Sequence, residues 1–276
     1  MTPSVFVVDP FSSGNRYASE FRKLRPGVRR YAVLSHEHVN PKLFKSFNPN
    51  DFEQTFHWAV EADRQRLANA SRPAIVVAGC ETGVVVADEL ASELGCVGNN
   101  PSTSSWRRNK YRMAERLRAA PSRLRNIPCQ LCATASEVEA WCRDQELSEC
   151  IVKPVDSAGS DNVRRCQATL DDLKPHVDKI LNCRNLTGSS NDCVLAQERI
   201  EGTEYVVDQV SWEGAHYLVA VFRYFKRQGP NKSIIYDTME LLEPTSSEVR
   251  GVVEYTRGVV AESVWLRVWS VRRRGA

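Results

Sequence analysis

Residues 151–163 have the sequence IVKPVDSAGSDNV, in which an apolar strand ends in a lysine and a loop of small side chains follows. Small side chains let backbone N–H groups approach phosphate oxygens, and a buried lysine adds a positive charge. The stretch can form a phosphate-binding loop beside Lys153, although taken alone it favours an ordinary turn. The candidate loop residues are Ser157, Gly159, Ser160 and Asn162. An ordinary hairpin turn with a surface lysine has the same local pattern.

Two common nucleotide-binding loops are excluded for this stretch. The pattern GxxxxGK[ST] of the Walker loop is absent, and the Rossmann fingerprint needs more glycines than the single one present. A phosphate site here therefore needs support from other parts of the chain.

Downstream, residues 196–204 have the sequence AQERIEGTE. It predicts the end of a strand, then a short connecting segment that we call the crossing, then a glycine and a carboxylate. Such a crossing can offer backbone N–H and C=O groups to the edge of a purine. The crossing consists of Gln197, Glu198, Arg199 and Ile200. Glu204 can accept hydrogen bonds from ribose hydroxyls, as carboxylates do in other nucleotide sites. A solvated acidic turn is the alternative.

Upstream, residues 106–117 have the sequence WRRNKYRMAERL, which is typical of a helix. Met113 and Leu117 lie four residues apart and face the core together. Lys110 lies near that side, one turn from Met113, and could reach a phosphate from the helix. The alternative is a solvated basic face, because the stretch holds five arginines and lysines.

The order and spacing of these motifs resemble the ATP-grasp superfamily over roughly residues 4–258. The stretches VFVVDPFSSG, residues 5–14, and IVKPVDSAGSDNV look like its amino-acid (carboxylate–amine) ligase branch. The resemblance implies ATP, with Lys110 and Lys153 on its phosphates and residues 157–162 as a flexible loop closing over them. It also implies that residues 197–200 line the adenine and that Glu204 holds the ribose.

The same resemblance implies a reaction and its partners. A ligase of this branch joins a small carboxylate or amino acid to an amine at the expense of ATP. Mg²⁺ is expected with the nucleotide. We assign no catalytic residue from the sequence, and the oligomeric state and the identity of the acid and amine stay open.

The chain is expected to be α/β in class, with two domains and a tail. Strands at residues 5–8, 31–34, 74–78 and 96–98 alternate with helices, which predicts a layered, Rossmann-like α/β (pre-ATP-grasp) domain over residues 1–101. Asn50 and Glu53 have the pattern of a capping box and predict a helix from that point. Strands at residues 194–199, 204–211, 217–226 and 233–242 predict an incomplete α+β ATP-grasp domain with an antiparallel sheet over residues 102–258.

Beyond residue 258 the sequence departs from the family. The magnesium-binding acids that the resemblance calls for are not found in residues 259–276, an atypical tail with two tryptophans and an arginine run. Glu240 and Glu243 are candidate ligands, with ordinary strand-edge carboxylates as the alternative. Two other functions therefore stay open: a nucleotide-binding module without catalysis, and an interaction protein whose basic tail binds nucleic acid or anionic membrane.

The composition and charge of the chain limit the classes of protein to which it can belong. The 276 residues are 42% hydrophobic, which is enough for two cores, and no apolar run approaches the roughly 20 residues of a membrane span. The nine scattered cysteines, with Cys129 and Cys132 in an apparent strand, favour reduced thiols in the cytoplasm. Residues 250–276 hold six arginines and two glutamates, so the rest of this +3 chain is near neutral, which argues against a nucleic-acid-binding body.

Overall fold

The computed structural model describes residues 3–36, 41–69, 75–121, 124–212, 214–229, 234–262 and 271–274. The chain forms two compact units, one up to Arg108 and the other from Asn109 onward. In the described part of the chain, no helix is both long enough and apolar enough to cross a bilayer.

The first unit is a layered α/β structure, as predicted. Its strands are β1 (Ser4–Val8), β2 (Arg29–Leu34), β3 (Gln54–His57) and β4 (Ile75–Ala78). Its helices are α1 (Arg16–Leu24), α2 (Pro41–Phe44), α3 (Glu61–Asn69), α4 (Val84–Glu93) and α5 (Ser104–Arg108). The described strands are parallel and lie in the order β3-β2-β1-β4. The central strand β1 is buried along its whole length, because helices cover both faces of a parallel sheet.

The prediction that a helix begins at Asn50 is wrong for its first residues. Residues 54–57 form strand β3 at the edge of the sheet instead. The reason is tertiary: the Phe56 ring packs beside core side chains of β1 and β2, with its centroid 6.3 Å from that of Phe6 and 6.0 Å from that of Tyr31. The short 3₁₀ turn over Pro49–Asp51 is capped by Asn48, and the Glu53 carboxylate accepts from the Arg30 N–H instead of closing a capping box.

The expected strand at residues 96–98 is also wrong, since these residues lie in no strand. Gly95 adopts a left-handed φ of 63° after α4, as its place after the helix predicts. The Cys96 N–H then bonds back to the Ala91 carbonyl over 2.8 Å. That amide therefore closes the end of the helix rather than pairing with a sheet.

The second unit combines helices with antiparallel sheets, which confirms the predicted α+β class. Its helices are α6 (Lys110–Arg118), α7 (Ala135–Asp144), α8 (Leu170–Leu181) and α9 (Ser247–Glu262). Its strands are β5 (Cys129–Cys132), β6 (Glu149–Pro154), β7 (Arg164–Gln167), β8 (Val194–Glu198), β9 (Glu204–Trp212), β10 (Ala215–Gln228), β11 (Ile234–Leu242) and β12 (Val271–Arg274). The described strands form two sheets, in the orders β5-β8-β6-β7 and β11-β10-β9-β12.

Helices cover one face of each of these sheets. Buried side chains of α7 and α8, among them Trp141, Leu173 and Ile180, pack on the sheet that contains β6. Helix α9 packs Val249 and Val252 on β9 and β10. Trp265 and Trp269 of the predicted basic tail lie outside the described residues.

Close backbone approach at the carboxyl ends of β1 and β4 generates a stability prediction. A Cβ on Gly79 would lie 2.4 Å from the Asp9 carbonyl oxygen and 2.8 Å from the Pro10 Cα, both backbone atoms. We expect Gly79→Ala to lower the free energy of unfolding by about 3 kcal/mol, because the backbone must shift. Urea titration followed by circular dichroism measures this.

Gly27→Ala is the matched control for that experiment. A Cβ at Gly27 would meet no atom within 4 Å, so its effect should stay within about 0.5 kcal/mol. Equal losses in the two variants would show that crowding at Gly79 is not the cause.

Candidate functional site

The loop between β6 and β7 has a tightly turned backbone. Gly159, Ser160 and Asn162 have left-handed φ angles of 64°, 58° and 47°. Such angles are unusual for Ser and Asn, and they persist where neighbouring contacts hold them. The loop follows buried residues of β6, so its starting point is fixed by the core.

Asp161 holds this loop from within. Its Oδ2 accepts hydrogen bonds from the Ser157 hydroxyl and from the Leu186 N–H, each over 2.8 Å. Its Oδ1 accepts from the Asn162 side-chain amide over 3.1 Å. The sequence does not single out Asp161, because an acidic side chain inside a candidate phosphate loop does not by itself show which donors it faces.

A second loop supports the first one. The Asn185 side-chain amide donates to the Asp156 carbonyl over 2.5 Å, while its Oδ1 accepts from the N–H groups of Thr187 and Ser189. Asn185 is 4% exposed, so this contact is internal to the fold. The two loops are therefore bonded through Asn185 and Asp161.

Lys110 lies against the same loop. Asn109 caps helix α6 by accepting hydrogen bonds from two N–H groups of its first turn, which fixes the start of the helix at Lys110. The Lys110 ammonium donates to the carbonyl oxygens of Ser157 over 2.7 Å and of Val155 over 3.4 Å. The helix lysine and the loop that follows Lys153 are thus brought together.

Lys153 adjoins the predicted adenine crossing. Its ammonium donates to Gln197 Oε1 over 2.6 Å. Strands β6 and β8 are antiparallel neighbours, and Ile151 pairs with Gln197 across them. The sheet register therefore puts the strand lysine and the first residue of the crossing side by side, although they are 44 residues apart in sequence.

The crossing itself is fixed by ion pairs. Arg199 contacts Glu149 and Glu201, each over 2.7 Å, and Arg165 contacts Glu149 over 2.5 Å. Burial raises the pKa of Glu149, but hydrogen bonds from the two arginines outweigh it and the pKa lies below its usual value. The Arg199 side chain therefore fixes the backbone of the crossing.

Its other two residues are placed by the backbone. The Glu198 N–H donates to the Pro128 carbonyl over 3.0 Å, and Ile200 is half-buried after the end of β8. The backbone after Glu198 leaves the sheet before Glu204 begins β9.

Glu204 is 7% exposed and has a cationic partner. Its carboxylate accepts a hydrogen bond from Lys226 on β10. The Lys226 ammonium also lies 4.6 Å from the centroid of the Tyr236 ring on β11. Nothing in the local sequence indicates Lys226. It lies two residues after Tyr224, which pairs with Glu204 across β9 and β10, so only the pairing of these strands brings it to Glu204.

The candidate metal ligands lie in ordinary surface contacts. Glu240 pairs with Arg223 over 3.1 Å, and Glu243 accepts from the Thr245 hydroxyl over 2.9 Å. Among the described residues, no three His, Cys, Asp or Glu side chains are grouped to hold a metal ion. The described residues therefore show no preformed acidic cluster for the expected Mg²⁺.

Residues 107–260, more than half of the chain, match the ATP-grasp domain family. The chain belongs to the ATP-grasp family. The resemblance predicted from the motifs is thereby confirmed. This ATP-grasp chain is also similar to a curated relative, dapdiamide A synthase of Enterobacter agglomerans, with 32% identity over 167 residues.

Solved structures share the fold. The L-amino acid ligase of Bacillus licheniformis has a TM-score of 0.72 at 16% identity, over 99% of this ATP-grasp chain and 63% of the ligase. The ATP complex of carboxyaminoimidazole ribonucleotide synthase from Aspergillus clavatus has a TM-score of 0.70 at 16% identity, over 99% and 66% of the two chains. The match to dapdiamide A synthase covers 60% of this chain and 38% of that protein. The chain thus spans less than two thirds of the length of the curated relative and of the L-amino acid ligase.

The ion pairs of Glu149 generate a pH prediction. Because the pKa of Glu149 is lowered on folding, its pairs stabilise the fold above the ordinary pKa of 4.5 and are lost as the pH falls. We expect Glu149→Gln to be less stable than the wild type at pH 7, by about 1 kcal/mol, and this difference to shrink as the pH falls from 4.5 toward 3. Urea titration at both pH values measures this.

Glu201→Gln is the control, because Glu201 is far more exposed and also contacts Arg199. Its loss at pH 7 should be smaller than that of Glu149→Gln. An unchanged difference between wild type and Glu149→Gln from pH 7 to pH 3 would contradict the prediction.

Proposed function

We propose that this chain binds ATP in the unit that begins at Asn109 and that it serves an ATP-dependent carboxylate–amine ligase. Residues 102–258 are proposed as the ATP-grasp domain and residues 1–101 as the preceding α/β domain. One observation carries the proposal: the Lys110 ammonium lies on the Ser157 carbonyl, within the loop that begins after Lys153. Two positive charges on separate elements therefore border one loop of small residues.

The proposed binding mode assigns each group a part of the nucleotide. Lys110 and Lys153 hold phosphate oxygens, with backbone N–H groups of residues 157–162 closing over them. Backbone groups of residues 197–200 line the adenine, and Glu204 accepts hydrogen bonds from the ribose. On binding, the Lys110 ammonium gives up its hydrogen bond to the Ser157 carbonyl and donates to a phosphate oxygen. The Lys153 ammonium gives up its hydrogen bond to Gln197 Oε1 in the same way.

The proposed reaction has two steps. A carboxylate oxygen of the substrate attacks the γ-phosphorus of ATP. The bond between this phosphorus and the oxygen that bridges it to the β-phosphate breaks, so that ADP departs and an acyl phosphate is formed. The amine nitrogen then attacks the acyl carbon, loses a proton and expels phosphate as the amide bond forms. In this scheme the protein positions the reactants and stabilises charge.

The proposed acid substrate is a small carboxylate or an amino acid. A curated relative is a dapdiamide A synthase, and a solved protein with this fold is an L-amino acid ligase. The cytoplasm is the proposed compartment, because nine scattered cysteines in a chain of this length are typical of a reducing environment.

A second candidate function is ATP binding without catalysis. The observation that favours it is the lack of a grouped metal-ligand set in the described residues. Calorimetry with ATP, with and without magnesium, separates the two functions. Binding that does not respond to magnesium, together with no ADP release in amino-acid mixtures, would favour the second.

The two lysines generate a binding prediction. We expect Lys110→Ala and Lys153→Ala each to raise the dissociation constant for a nonhydrolysable ATP analogue about 10- to 100-fold, because each removes a charge-assisted contact to phosphate. Calorimetry at constant ionic strength measures this.

Lys174→Ala is the matched control, because Lys174 is exposed on α8 and pairs with Asp178. It removes the same charge from the same unit without touching the loop. Equal affinities for all three variants would mean that ATP, if it binds, binds elsewhere.

A further inference from the structure

One buried histidine lies behind the phosphate loop and has no part in the proposed binding mode. His176 is on α8 and is 6% exposed. Its Nε2 lies 3.0 Å from the Asn162 carbonyl oxygen and donates to it, while the backbone of Val152 also lies near the ring. Val152 precedes Lys153, and Asn162 ends the candidate loop. The ring therefore lies beside both ends of the connection between β6 and β7 and bonds to the Asn162 end.

The Asn162 end of the loop needs such support. Asn162 is a non-glycine residue with a φ of 47°, and Ser160 and Gly159 are also left-handed. A left-handed conformation is less favourable for residues other than glycine, and surrounding contacts help to hold it. The bond from His176 fixes the Asn162 carbonyl, and that carbonyl belongs to the peptide group that joins Asn162 to Val163.

The charges around the ring keep it neutral. Burial lowers the pKa of His176, and the cations Arg164 on β7 and Lys179 on α8 lower it further, against the backbone bonds that raise it. Arg164 is itself paired with Asp172. A neutral imidazole adds no charge behind a loop that would receive an anion, while it still supplies one N–H donor.

We infer that His176 is a positioning residue, which holds residues 157–162 in the conformation that receives the triphosphate. The inference rests on the proposed function for its ligand, and on the contacts with Asn162 and Val152 for its geometry. His176 touches no reacting atom and acts through the loop backbone.

The test uses two substitutions at the same position. His176→Leu fills a similar volume without a donor, while His176→Gln can place an amide N–H near the position of Nε2. We expect His176→Leu to raise the dissociation constant for a nonhydrolysable ATP analogue about tenfold, and His176→Gln to stay within about threefold of the wild type. Rescue by Gln separates a hydrogen-bonding role from simple packing.

Hydrogen exchange of the peptide that covers residues 155–165, without nucleotide, is the second readout. His176→Leu should speed this exchange about tenfold and His176→Gln much less. If His176→Leu does not fold, His176→Asn takes its place, because its amide is too short to reach the Asn162 carbonyl.

His216→Leu is the matched control. The His216 ring bonds the Ser211 hydroxyl over 2.7 Å on the β9–β10 hairpin, away from the phosphate loop in sequence and sheet. This variant should leave both the affinity and the loop exchange unchanged.

The outcomes separate the two proposals. If the wild type binds no analogue but the exchange responds as expected, the proposed function fails and the role of His176 in holding the loop stands. If the wild type binds and neither His176 variant changes affinity or exchange, the inference is overturned while ATP binding stands. Equal effects of Leu and Gln would also overturn it, because packing alone would then explain them.

Discussion

The hydrogen bond from the Lys110 ammonium to the Ser157 carbonyl joins the parts of the candidate site. It connects helix α6 to the loop after β6, and Lys153 at the end of β6 connects in turn to Gln197 on β8. A charged donor on a carbonyl is among the stronger protein hydrogen bonds, and its carbonyl partner can be exchanged for a phosphate oxygen. The site is therefore held together by the same groups that are proposed to bind ATP.

The loop between β6 and β7 combines an unusual backbone with dense side-chain support. Three of its residues are left-handed, Asp161 holds it from within, and Asn185 and His176 bond to it from outside. A loop built in this way can present backbone N–H groups with little reorganisation, which is the condition for tight binding of a triphosphate. The ATP-grasp family relationship gives these contacts a functional context, while the contacts themselves belong to this chain.

Local sequence patterns predicted most helices and strands. A buried face leaves apolar residues at the spacing of the helix or strand to which it belongs. The apolar run of β1 and the helical spacing in α1 and α4 are examples, and the left-handed glycine after α4 was also found where its position predicts. The errors at residues 54–57 and 96–98 have one origin. In both places the partner that decides the structure, a neighbouring strand or the preceding helix, is not visible in the local spacing.

The sequence by itself determined the family, the class of each domain and the residue types able to hold a nucleotide: two lysines, a small-residue loop, a crossing and a carboxylate. Whether those residues hold ATP in this chain stays a prediction. Only the tertiary structure decided which side chains support them. Asp161 bonds Leu186, Asn185 bonds Asp156, His176 bonds Asn162 and Lys226 bonds Glu204, across separations of 14 to 29 residues. Contacts between residues so far apart in the sequence arise from sheet register and loop packing. No repeat in the local sequence encodes them.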